Sequence, residues 1–278
     1  MTAPTPTPTP QQTYGYVSPI PVRRAHLGDA LASEWTKIRS VRSTMWTLGT
    51  MILLMLVIGL GVAAIAAGEG GSMGEESALP LGFFGMLPAS ICVITLGVLT
   101  ISSEYGTGMI RTTLTACPSR ARVLTAKAIV FFLLVFTVTL VVAFVVATAQ
   151  VAMVDAAEPS GAEWARATVG AAGFLAVLGL LSMGVGALVR HSAGAITVMI
   201  GVLLLPLVAA LFMFAPALKG LQEALFTYSV PSQMIALYSE RPPFGENGPA
   251  GWEALFTLVG VAVVVMGGAY ALLNRRDV

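Results

Sequence analysis

Uncharged runs of about twenty residues, the length that crosses a hydrocarbon core of about 30 Å, recur six times along the chain. They fall near Thr44 to Ala67, Leu79 to Ile101, Ala128 to Val154, Thr168 to Val189, Ala195 to Ala217 and Ala254 to Leu273, and none contains Asp, Glu, Lys or Arg. The runs lack the period-2 alternation of barrel strands, and backbone groups in lipid must be satisfied internally, so the pattern predicts helices. The expected fold is an all-α polytopic membrane protein with six transmembrane helices in one transmembrane domain, residues 44–278.

The polar intervals are patterned too. In residues 26–43, Leu27, Ala30, Leu31, Trp35, Ile38 and Val41 recur at helical spacing, while Asp29, Ser33, Thr36 and Ser40 gather opposite. This predicts an amphipathic interfacial helix running straight into the first span, with Trp35 at headgroup level and Lys37, Arg39 and Arg42 near anionic lipid. Glu34 breaks the pattern, because at 100° per residue it projects into the apolar arc. It either pairs with Lys37 three residues on or bridges to another element such as Arg111.

Between the second and third runs lies the polar island Ser102 to Lys127, with four cations, Arg111, Arg120, Arg122 and Lys127. Gly106 and Gly108 flank Thr107, a combination suited to ending one helix and starting another. A short helix from Gly108 to Ala116 would then set Met109, Ile110, Thr113 and Leu114 on one arc, opposite Arg111 and Thr115. Pro118 stops it and Ser119 caps the next span. The fifth and sixth runs are joined by Leu218 to Trp252, whose segment Leu221 to Tyr238 is the length of a re-entrant or interfacial element. Gly245 to Gly251 reads as a turn-rich loop. Residues 1–25 are a Pro/Thr-rich tail, expected to be disordered.

Composition agrees with this reading: the 278-residue chain is 56% hydrophobic and only 10% charged, far from a soluble domain. Its net charge of +1 becomes informative once charges are sorted by side. The side shared by both termini carries Arg23, Arg24, Lys37, Arg39, Arg42, Arg111, Arg120, Arg122, Lys127, Arg190, Arg275 and Arg276, against Arg166, Lys219 and Arg241 opposite. The expected location is the plasma membrane as a multi-pass protein, and the orientation rule predicts cytoplasmic N- and C-termini and a cytoplasmic island. Cys92 and Cys117 fall in a span and in the island, so no external disulfide framework is expected. The first thirty or so residues lack the apolar core of a signal peptide, and the first span is expected to act as an uncleaved insertion signal.

Several chemistries are disfavoured. The run from Gly68 to Gly74 lacks the Lys-Ser or Lys-Thr of a phosphate loop and is followed by Glu75 and Glu76. No Walker-type sequence occurs, so the chain is not expected to hydrolyse ATP. His26, His191, Cys92 and Cys117 are scattered singly, and Ser182 sits outside any nucleophile elbow, which argues against metal sites and catalytic triads. The clearest polar side chain within a run is Gln150, so a carboxylate proton relay is not expected.

Ser33 to Thr44 and Glu104 to Leu114, followed by Pro118, Ser119, Arg120 and Lys127, resemble the connecting helix and first cytoplasmic loop of bacterial ABC-2 type transporter permeases. The six-run layout extends the resemblance over residues 27–278. It implies a permease that pairs with a second copy or a homologous permease and with an ABC ATPase subunit, in two copies. The partner would use the ATP, and this chain would bind no cofactor and no nucleic acid. In that resemblance Glu104, Gly106, Thr107, Gly108, Arg111, Pro118 and Arg120 belong to the coupling element, and Glu34, Trp35, Lys37 and Arg39 to the connecting helix. An alternative from another class is a non-transporting membrane scaffold or immunity-type protein whose loop recruits a cytoplasmic partner.

Overall fold

A computed structural model describes residues 26–68, 73–74, 76–117, 119–243 and 248–275. The Pro/Thr-rich tail, Pro118, most of the Gly-rich segment after Gly68, part of the Gly245 to Gly251 loop and Arg276 lie outside the described residues. The structure is 86% helical, with no strand among the described residues. Six helical stretches are long and apolar enough to cross a membrane, and the chain is a multi-pass membrane protein. They are Arg42–Gly68, Leu79–Gly106, Arg120–Met153, Gly161–Val189, Ser192–Leu211 and Trp252–Leu273.

In chain order the helices are α1 (Leu27–Ser40), α2 (Arg42–Gly68), α3 (Gly82–Gly106), α4 (Met109–Ala116), α5 (Arg120–Met153), α6 (Gly161–Ala165), α7 (Ala171–Val189), α8 (Ser192–Leu211), α9 (Lys219–Tyr228), α10 (Val230–Tyr238) and α11 (Trp252–Arg275). A π turn, Arg166–Gly170, joins α6 to α7. Most helices overrun the apolar runs that announced them. The third begins at Arg120 rather than Ala128, because Ser119 caps it: the Arg122 N–H donates to the Ser119 hydroxyl at 3.4 Å. The fifth stops at Leu211, short of the expected Ala217, and Pro216–Leu218 forms a separate turn.

The amphipathic segment does not run straight into the first span. Val41 is extended, at φ −85° and ψ 113°, and separates α1 from α2 as an elbow. Leu27, Trp35 and Val41 stay exposed, whereas Glu34 and Ile38 face the protein.

Burial ranks the helices. About α7, the stretch Gly161–Val189 has 78% of its most apolar window buried, against 17% for the last helix, so α7 is the central post. It packs against α3, α5 and α11. The α3–α7 crossing is close because Gly97 meets the backbone of Gly179, with Phe131 and Val93 packed over Gly179. At the end of the bundle away from α4, α10 inserts Met234 and Leu237, both fully buried, among its neighbours. Arg166, buried in the π turn, pairs with Glu240 at 3.3 Å. Gln150 is fully buried and donates from Nε2 to the Gly59 carbonyl at 3.1 Å, fastening α5 to α2.

Candidate functional site

The island and the connecting helix converge on one buried square of charge. Lys127 Nζ donates to Glu34 Oε2 at 2.6 Å and to Glu104 Oε1 at 2.9 Å. Lys37 Nζ donates to Glu34 Oε1 at 2.8 Å, to Glu104 Oε1 at 2.9 Å and to the Thr113 hydroxyl at 3.3 Å. The side chains of Lys127, Glu34 and Glu104 are 2%, 4% and 6% exposed, and that of Lys37 is 25% exposed. Two cations and two anions alternate, so the square is neutral as a unit, which makes its burial tolerable.

Helix periodicity aims each member inward. On α5, Val123, Leu124, Lys127, Val130 and Phe131 form one buried face, and Lys127 occupies a position otherwise given to apolar residues. On α3 the buried face continues through Val98, Ile101 and Glu104. On α1, Glu34 and Ile38 lie four residues apart on the same side, with Lys37 beside them. Start and stop signals set the frame. The His26 N–H donates to the Asp29 carboxylate at 3.0 Å at the head of α1. Burial pulls the Lys37 ammonium down, but its bonds to Glu34 and Glu104 and their negative charge outweigh this and hold it above its ordinary 10.5. It is therefore a cation at neutral pH.

The turn from α3 to α4 depends on one glycine. Gly106 is an ordinary last helical residue, whereas Gly108 has φ +72° and begins α4 from the left-handed region. Thr107 does not cap α4; its hydroxyl turns back to the Ser103 carbonyl at 2.8 Å. Ile110 is buried, Thr113 and Leu114 are half-buried, and Arg111, Thr112 and Thr115 are exposed. Met109 departs from the expected apolar arc: it stands 44% exposed and lines a groove beside α1. At the far end, Cys117 is buried in an extended conformation.

The remaining sequence candidates separate into packing and surface groups. Arg120 Nη1 donates to the Leu273 carbonyl at 2.7 Å, and Thr125 and Tyr270 share a hydroxyl bond at 2.7 Å, so the start of α5 holds the end of α11. Arg39 lies over the Trp35 ring at 5.9 Å on the outer face of α1. Arg190, a non-glycine residue at φ 56° between α7 and α8, lies 4.9 Å over the Tyr105 ring. Glu104 sits within the square rather than on the surface, and Arg111 lies outside it. Glu34 makes both bonds that were expected as alternatives, to Lys37 on its own helix and to another element, where its partner is Lys127 of α5 rather than Arg111.

Sequence reasoning placed Lys127 in the island but gave it no partner. Its one signal was a lysine at the α5 register of Val123, Leu124, Val130 and Phe131. No group of three or more His, Cys, Asp or Glu able to hold a metal occurs among the described residues. No protein-family model and no curated protein matches the chain.

Proposed function

We propose that this chain is the permease subunit of an ATP-driven ABC exporter, forming the membrane pathway and coupled through α4 to a separate ATPase. The observation that carries this reading is the build of α4: a short, exposed helix, set off by Gly108 and bonded through Thr113 and Lys37 to the buried square that joins α1, α3 and α5. A displacement of α4 reaches three other helices at once, and through α3 it reaches the central α7. A simple linker between spans has no use for such a connection.

In this reading α4 and both termini are cytoplasmic, α1 lies along the inner surface of the plasma membrane, and α9 with α10 forms a re-entrant hairpin on the outer side. Arg111, Thr112 and Thr115 face the ATPase. Glu104 and Lys37 act behind them by holding α4 in place, and Arg120 holds α11. A second permease copy or a homologous permease completes the pathway, with two ATPase copies. ATP is bound by the partner, and the chain itself holds no cofactor.

Arg111→Glu reverses charge on the exposed face and Gly108→Pro forbids the positive φ at the start of α4. Both are expected to reach the membrane at the wild-type level, while ATP-driven transport by the complex falls by about tenfold or more. Membrane fractionation and transport in vesicles measure the two quantities. Wild-type transport in both variants would remove α4 from the coupling path and leave the scaffold reading in its place.

A further inference from the structure

A small cavity lies inside the bundle at the end away from α4, where α3 begins. It leaves about 10 Å³ for the centre of a water, close to the room that one such molecule needs. Among the residues that line it, Gln150 of α5 and Tyr238 of α10 carry the polar side chains, and the rest are apolar or glycine, among them Leu79, Met86 and Ala147. Gln150 is fully buried, and the Gly59 carbonyl fixes the orientation of its amide: that carbonyl accepts from Nε2 at 3.1 Å, which leaves Oε1 at the other end. Oε1 is buried and accepts no hydrogen bond from the protein. The Tyr238 hydroxyl meets the thioether of Met86 at 3.9 Å, a weak acceptor. Both oxygens flank the space in front of Gly82, since a carbon added to that glycine would lie 3.2 Å from Tyr238 Oη and 3.7 Å from Gln150 Oε1.

We propose that this cavity is the binding site of one ordered water, which accepts from the Tyr238 hydroxyl and donates to Gln150 Oε1. A cavity with a wholly apolar wall stays dry, but this one presents an acceptor that lacks a donor and a hydroxyl whose proton has only sulfur to meet. Water carries both complements at once, at the cost of ordering one small molecule. A bare metal cation asks for about six oxygen ligands, and two side-chain oxygens line this space. Through the water, Tyr238 at the end of α10 is tied to Gln150 of α5, and Gln150 in turn to Gly59 of α2. The bridge also gives Gly82 its role, because a side chain there would enter the space between the two oxygens. The inference concerns water binding alone and stands independently of the transport reading.

Two measurements on the full chain test it. In a density map that resolves ordered waters, a single peak is expected within about 2.6 to 3.2 Å of both Gln150 Oε1 and Tyr238 Oη. A site without a peak, or a Tyr238 hydroxyl bonded directly to Gln150, would overturn the proposal. The second measurement is thermal unfolding of Gly82→Ala in two backgrounds. In the wild-type background the added methyl displaces the water and strands Oε1, so the melting temperature is expected to fall by about 2 °C or more. In the Gln150→Leu background there is no acceptor to strand, and the same substitution is expected to leave the melting temperature unchanged or to raise it. A plain cavity filled by a methyl gives no loss in either background, and a simple clash with Tyr238 gives the same loss in both. Equal shifts in the two backgrounds would therefore overturn the proposal. If Gln150→Leu fails to fold, the map of the wild-type chain decides alone.

Discussion

Replacing Lys127 with alanine is expected to destabilise the folded chain by about 3 to 5 kcal/mol, the usual cost of stranding buried charge. Glu34 Oε2 loses its 2.6 Å partner and Glu104 keeps only Lys37, which leaves a buried square with a net negative charge. Denaturation in micelles should show the loss. Hydrogen exchange should locate it, with α1 opening because Glu34 is its polar tie to α5, and α11 unaffected because Arg120 and Thr125 hold it elsewhere. A double variant, Lys127→Met with Glu104→Gln, restores neutrality and leaves the Glu34–Lys37 pair intact. It should therefore be less damaged than the sum of its single changes, by about 1 kcal/mol or more. Additive effects, each within about 0.5 kcal/mol as for ordinary surface sites, would show that the square carries no stability.

The second large effect is expected at Gly97. A Cβ there would fall on the carbonyl oxygen of Gly179, and a backbone atom within a helix cannot rotate away as a side chain can. Gly97→Val should force α3 from α7 and cost about 3 kcal/mol or more, the upper end of overpacking penalties. Gly201→Ala is the matched control, since nothing lies within 4 Å of its added carbon. There the change should be neutral or slightly favourable through helix propensity. Thermal unfolding of the two purified variants compares them directly. Equal melting would mean that α3 and α7 have slack at this crossing.

These two sites mark where the sequence was readable and where it was not. The six spans were legible because lipid admits only uncharged runs of a set length, so that composition alone locates them. Their ends were less so: Arg42, Glu104, Arg120 and Lys127 are charged residues inside helices, and counting uncharged positions stops short of them. The short helix α4 was legible from Gly108 and Pro118, and the start of α5 from the Ser119 cap, all of them local backbone signals. The elbow at Val41 was not, because nothing in that residue type distinguishes an extended residue from a helical one. Glu34 announced itself by standing in an apolar arc, yet its second partner, Lys127, lies far along the chain, and such a pair is set by tertiary packing. Gly97 and Gly179 are two glycines among 29, and only the crossing of α3 and α7 singles them out.

The central claim is that α4 docks on a nucleotide-hydrolysing partner. A photocrosslinking amino acid at Thr112, exposed on α4, tests it in native membranes, with Phe214, 83% exposed at the other end of the bundle, as the comparison position. The account predicts that Thr112 captures a protein carrying a Walker phosphate loop, that Phe214 does not, and that Gly108→Pro abolishes the capture. An intact, inserted chain whose Thr112 position crosslinks no nucleotide-binding protein would contradict it.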